Sequence, residues 1–444
     1  MRVFLAAFAV VFGWFTAVSA SDGEITLKRT GEANWIASYC FDEPVDAFKF
    51  TRPMTGDMRQ KYWQVGDAAF ELTYEPNGRE TTATIQRTDG AAFRCVSLTM
   101  QTYTNRPEKN YFAFSTFSDG GASLYTGYLT GIVHRVDEWF DADLRAKYVP
   151  LEGSRVFTRD PSRLTQQFVY YGKQDVLERD GAVAVIDPAV PAAAREIILD
   201  TIPEVNAQMG TLFGVKKAPR YMIFMAAGEL LTFDGYTHKG GTMERQVLFT
   251  LKGPDVIKVA NGDPTRYAKL SAHEIIHLWQ YAAWETLGND RPWMHEGSAD
   301  ALSYELMRRI GHYDAIKYGE AWETAEKRCV SMLERSSVHE GPSTGNFGIV
   351  YQCGATINHL VGGLLDADDW GRGLWKFWGE MAAWSAVERS GPQSEDLFFK
   401  TLAKLGVVEE KQAAIRAFLE TKSSDPAAAL QTLKEQLGLL NGAV

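Results

Sequence analysis

Cysteine is scarce. Only Cys40, Cys95, Cys329 and Cys353 occur in 444 residues, and no two stand in a CxxC pair, which argues against a redox motif or a thiolate metal site. In an oxidising compartment an even number permits two disulfides. Cys40–Cys95 with Cys329–Cys353 is the simplest of three connectivities, and reduced buried thiols are the alternative. An excess of positive charge is also missing: 46 Lys and Arg face 56 Asp and Glu, for a formal net charge of −10. No nucleic-acid partner is expected, because that would need a basic surface. After Ala20 no apolar run approaches the roughly 20 residues that cross a bilayer, so no integral membrane segment is expected in the mature chain. Repeats and low-complexity tracts are absent, and 45% apolar with 23% charged residues is the composition of a folded globular protein. Histidine is scarce too, with 8 in the chain, which makes any clustering of it informative.

The stretch Met1–Ala20, MRVFLAAFAVVFGWFTAVSA, carries one charge at Arg2, then an apolar run, then the small residues Val18-Ser19-Ala20. This layout predicts a cleaved signal peptide and export to the periplasm or the extracellular space, with an uncleaved anchor as the alternative. Loss of Arg2 takes the charge from −10 to −11. Residues 21–163 read as an N-terminal all-β domain: runs such as AAFELTYEP, TTATIQRT and FRCVSLTMQTY are divided by PNG, TDG and SDGG turns. Residues 164–366 mix helix and strand and are expected to form an α+β catalytic domain, with Asp187 and Pro188 opening its first helix. Residues 367–444 are expected to be a helical C-terminal region.

Three of the eight histidines fall in SAHEIIHLWQYAAWETLGNDRPWMHEGSADALSYEL, Ser271 to Leu306. The segment DPTRYAKLSAHEIIHLWQYAAWETLG predicts one helix, with Asp263 as N-cap, Pro264 first in the helix and Gly288 as a left-handed stop. On it His273 and His277 are four apart and share a face, so a zinc ion could take a nitrogen from each at about 2.0–2.1 Å. Glu274 is offset around the helix and can reach a water beside the metal as general base. This is HExxH. Chance alone yields it in roughly one such chain per hundred, so its surroundings must decide. A second helix, from Pro292 to near Gly311, carries Glu296 as third ligand on an antiparallel neighbour of the first. Asp300, one turn on, is placed to accept from the far nitrogen of a ligand histidine. His295 lies beside the ligand glutamate, where a cleft position and a local structural one are both open.

The pattern HExxH-x18-E, with its glutamate in a WxxEG context, resembles the gluzincin metallopeptidases. Within them HEIIHLW is similar to the HExxHxW of the aminopeptidase N-like and glycyl-aminopeptidase-like families, while EGSAD is shared in kind with thermolysin-like peptidases. Upstream, KGGTMERQVLF resembles the GxMEN strand of aminopeptidase N-like enzymes, with Arg245 where Asn is usual. That resemblance implies a cleft strand of Gly241, Thr242 and Met243, with Glu244 binding the α-amine of the substrate. Downstream, IVYQCGATINHL resembles YxKGA, with Cys353 in place of Lys, and implies that Tyr351 donates to the developing oxyanion. The matching motifs run from Gly240 to Ala355.

The resemblance implies a zincin-type catalytic domain, one zinc ion (Zn2+) per chain held by His273, His277 and Glu296, a peptide substrate and aminopeptidase activity. A thermolysin-like zinc endopeptidase and a non-catalytic, zinc-stabilised binding protein remain as alternatives. The intact general base and the count of only three protein ligands weigh against the last of these.

Overall fold

The computed structural model describes residues 21–104, 111–179, 182–215, 220–284, 291–388 and 393–439. The segment read as a signal peptide lies outside them. Among the described residues no helix is long and apolar enough to cross a membrane.

The N-terminal part is built from strands, with short helical turns at Met58–Tyr62 and Thr126–Tyr128. Alternating burial shows why. In Gly23–Arg29 every second side chain is buried, and Ile25 and Leu27 are fully enclosed, the period-two pattern of a sheet with one wet face. The central strand Asn34–Val45 pairs with Gly23–Arg29 on one side and Phe93–Gln101 on the other. Cys40 stands directly opposite Cys95 in that register, and the two form a disulfide. The PNG segment makes the expected hairpin: Asn77 pairs with Glu80, and Gly78 adopts the left-handed φ of 63° that the tight turn requires. Pairing of this kind continues to Phe168–Gly172, which joins Ala122–Tyr125 and Arg155–Phe157.

A further sheet follows, with Ala182–Ile186, Tyr221–Ala226 and Gln246–Lys252 parallel at its centre. The helix Ala192–Leu212 is the crossover between the first two strands. Every residue of Gln246–Lys252 is buried, because both faces of this sheet are covered. Phe224, Ala226 and Leu248 pack into the core of the β-rich part. Ile223, Met225, Val247 and Phe249 pack into a second core shared with the helices. That core runs on into the C-terminal helices Trp370–Glu388, Glu395–Lys404, Glu409–Glu420 and Pro426–Leu437, through Phe377, Trp378, Phe398, Ile415 and Leu433. Many strands in several sheets, then mixed structure, then helices is the order expected from the sequence.

Three local expectations are corrected. The first long helix begins at Ala192, with Pro191 in the cap position, not at Asp187. Asp187 is 1% exposed and accepts from the backbone N–H groups of Ser118, Ala189 and Ala227 at 2.7–2.9 Å. It therefore ties the two parts of the molecule together, a use of aspartate that looks like a cap in sequence. The HExxH helix spans Thr265–Ala283 with Pro264, not Asp263, at its cap; Asp263 instead accepts from Lys317 Nζ at 2.7 Å. The helix ends before Gly288, which lies outside the described residues, because Trp284 turns to extended backbone and is buried against Phe213 and Trp378.

Candidate metal centre and cleft

Three helices and one strand edge build the site. On Thr265–Ala283, His273 and His277 are each 6% exposed, their rings 4.7 Å apart and nearly perpendicular. The two Nε2 atoms are 3.1 Å from one another. Glu296, on the helix Pro292–Arg309, brings Oε2 to 3.4 Å from His273 Nε2 and 3.3 Å from His277 Nε2. That oxygen is buried and accepts no well-aligned hydrogen bond. An ion held tetrahedrally at about 2.0–2.1 Å has ligands about 3.3–3.4 Å apart, so the three atoms fit the base of such a site. His273, His277 and Glu296 are together a group that could hold a metal ion.

The partners of the histidines set their tautomers. His277 Nδ1 is 2.8 Å from Gln280 Oε1, so the proton sits on Nδ1 and the Nε2 lone pair faces Glu296. Gln280 is itself fully buried and donates to Ser298 Oγ at 2.8 Å and to the His295 carbonyl at 3.3 Å. His273 Nδ1 is 2.9 Å from Asp300 Oδ1, and the same oxygen contacts the Lys269 ammonium. Burial raises the Asp300 carboxyl, but Lys269 and His273 outweigh it and hold it well below the usual carboxylate range. Burial likewise raises Glu296, and the histidines reverse that. For His273 burial lowers the pKa, while Asp300 and Glu296 push it up to about 9. His295 Nε2 is 3.5 Å from Glu296 Oε1.

Glu274 is 6% exposed and accepts from Thr242 Oγ1 at 2.6 Å. Gly240 presses against the same carboxylate: a Cβ there would lie 2.2 Å from Glu274 Oε1. Thr242 in turn accepts at its carbonyl from the Tyr111 hydroxyl at 2.7 Å, and Gly241 exchanges backbone hydrogen bonds with Leu248 at 2.9–3.0 Å. The GGT segment thus forms one wall beside Glu274. Glu244 follows directly, in the turn that ends that wall. Thr242–Met243 turns back on Gln246–Val247 through the two residues Glu244 and Arg245, and the Glu244 side chain is 63% exposed and paired with Arg159. Met243 packs toward the core of the β-rich part.

Tyr351 lies in the first turn of the helix Gly348–Leu365, its ring 5.9 Å from His273 and nearly parallel to it. Burial, with Glu296, Glu274 and Asp300 nearby, raises the phenol well above its ordinary pKa, so its proton stays in place. A helix crossing delivers it there. Gly297 of EGSAD and Gly354 of YQCGA meet so closely that a Cβ on Gly297 would sit 2.4 Å from the Gly354 Cα. Cys353, where the resemblance leads one to expect Lys, is bonded to Cys329 and fastens this helix to Ala315–Leu333. Trp279 of HEIIHLW donates to Asn206 Oδ1 at 3.1 Å, anchoring the HExxH helix on the crossover helix.

Several neighbours were missed in the sequence. Gln280 and Lys269 lie three residues after His277 and four before His273 on one helix, a spacing that could have exposed them. Tyr281, four after His277 and pushed up to about 12 by burial and by Glu296 and Glu274, shares that spacing; Lys239, whose pKa burial lowers against the pull of Glu274 and Glu296, carries no such signal. Nor does Arg159.

No protein-family model and no curated protein matches the chain by sequence. Its fold does resemble solved structures. An aminopeptidase N family protein from Idiomarina loihiensis superposes with a TM-score of 0.61 at 13% identity, over 92% of this chain and 77% of that one. Leukotriene A4 hydrolase from Saccharomyces cerevisiae gives 0.52 at 11% identity, over 91% and 68%. Yeast LTA4 hydrolase in complex with bestatin gives 0.51 at 9%, over 90% and 68%. At such identities the likeness is one of fold. The first of these neighbours bears the name of a family that the motifs resemble.

Proposed function

We propose that the chain is an exported, zinc-dependent peptidase with a zincin-type catalytic domain, acting as an aminopeptidase. The observation that carries this reading is the convergence of His273 Nε2, His277 Nε2 and Glu296 Oε2 within 3.1–3.4 Å of one another, with Glu274 on the helix that carries the two histidines. Three ligands with nitrogen and oxygen donors suit one zinc ion and leave a coordination position open. Zinc bound there would polarise the scissile carbonyl and acidify a water.

The chain's own residues supply the rest. Glu274, oriented by Thr242 and Gly240, takes the proton of the attacking water and passes it to the departing amine. Tyr351 keeps its proton and donates a hydrogen bond to the oxyanion as it forms. Asp300 and Gln280 stand 2.9 and 2.8 Å from the far nitrogens of the histidines and orient the rings. Gly241, Thr242 and Met243 line the substrate strand, and Glu244 is the group offered to the α-amine. Two disulfides agree with an oxidising destination.

The test is cleavage of a mixed peptide library by the zinc-loaded protein, comparing free and acetylated N-termini by mass spectrometry. Glu274→Gln should retain zinc and lose turnover; appreciable cleavage by that variant would remove Glu274 as the base.

A further inference from the structure

The turn that presents Glu244 is firmly held. Arg245 has a φ of 59°, a left-handed conformation that a bulky residue adopts only where its surroundings impose it. They do so here. The Arg245 carbonyl accepts from Met222 N–H at 2.8 Å. The next residue, Gln246, is fully buried and its amide exchanges two hydrogen bonds with the Phe168 backbone, at 2.7 and 2.8 Å. Phe168 belongs to the β-rich part, so the turn is clamped between the two halves of the molecule.

From the same half comes Arg159. Its side chain is 22% exposed, its Nη1 contacts Glu244 Oε2, and its Nη2 lies 3.4 Å from Thr165 Oγ1. The guanidinium is therefore largely sheltered and placed in advance, while the carboxylate it meets is open to solvent. A substrate ammonium arriving at Glu244 would meet a carboxylate whose charge is already compensated, and would have to share it with or displace a protein cation. A neutral amide at the same position would leave that ion pair undisturbed.

We propose that Arg159 is a specificity-determining residue: by compensating Glu244 it relaxes the requirement for a free α-amine, so that the cleft accepts peptides with blocked or extended N-termini as well as free ones. This rests on the peptidase reading and on Glu244 facing the N-terminal side of the substrate. Arg159 acts through Glu244 and touches no reacting atom.

The experiment uses the zinc-loaded full chain carrying Glu274→Gln, which should bind peptides without cutting them. Calorimetry compares a tripeptide bearing a free amine with its N-acetyl counterpart. Without further change the two affinities should fall within about fivefold of each other. Adding Arg159→Gln should widen the preference for the free amine by about fivefold, and Arg159→Lys, which keeps a cation, should leave it near the starting value. If both peptides bind and Arg159→Gln does not change their ratio, the role of Arg159 is overturned while the peptidase reading stands. A preference of about a hundredfold for the free amine before Arg159 is altered also overturns it. If neither peptide binds, both readings fail.

Discussion

Replacing Gly240 by alanine is the sharpest test of how the cleft is organised, because the perturbation is one methyl group aimed at one carboxylate. The Cβ would stand 2.2 Å from Glu274 Oε1 and 2.4 Å from its Cδ and Cγ, where ordinary contact begins near 3.4 Å. The carboxylate or the GGT segment must give way to close that gap, and either movement breaks the 2.6 Å bond from Thr242 to Glu274. A displacement of about 1 Å in a catalytic group costs about 10²-fold in rate, equivalent to about 2.7 kcal/mol of barrier. Gly240→Ala should therefore lower kcat on a fluorogenic peptide by about a hundredfold, while far-UV circular dichroism and zinc content remain those of the parent. Thr242→Val, which removes the hydrogen bond without adding bulk toward Glu274, should lose less, about tenfold. A Gly240→Ala protein with kcat within a few-fold of the parent would show that the position of the Glu274 carboxylate is not set by this wall.

Two further outcomes follow from the surroundings of the histidines. His273 is pushed up to about 9 by Asp300 and Glu296 despite burial, and a metal must displace that proton. Zinc affinity should therefore rise steadily as pH increases from 6 to 9, read by competition with a chromophoric chelator; an affinity independent of pH across that window would contradict it. Gln280→Leu removes the acceptor at His277 Nδ1 and should weaken zinc binding about 10- to 100-fold, with unchanged affinity showing that the tautomer is fixed by something else.

Features that depend on period and spacing are fixed locally in this protein. A four-residue interval puts His273 and His277 on one helical face wherever the helix lies. Alternating apolar residues divided by PNG and similar turns make strands and hairpins in the N-terminal part for reasons local to each run. Cys40 and Cys95 were paired as the simplest connectivity, and the strand register that sets them opposite each other came only with the fold.

Features that depend on a partner far along the chain arise only in the fold. Asp187 reads as a helix cap because its neighbours in sequence look like a helix start, yet its carboxylate is occupied by Ser118 and Ala227. The HExxH helix stops at Ala283 because burying Trp284 against Phe213 and Trp378 outweighs another helical turn. Gly297 and Gly354 are unremarkable within their own helices and become necessary only where those helices cross, bringing Tyr351 beside His273. The neighbourhood of Glu244 is the clearest case. Its motif could be read in TMER, but the cation that meets it, Arg159, comes from a distant part of the chain in the β-rich half. Charge acts through space and leaves no periodicity behind, so that contact was legible only once the chain had folded.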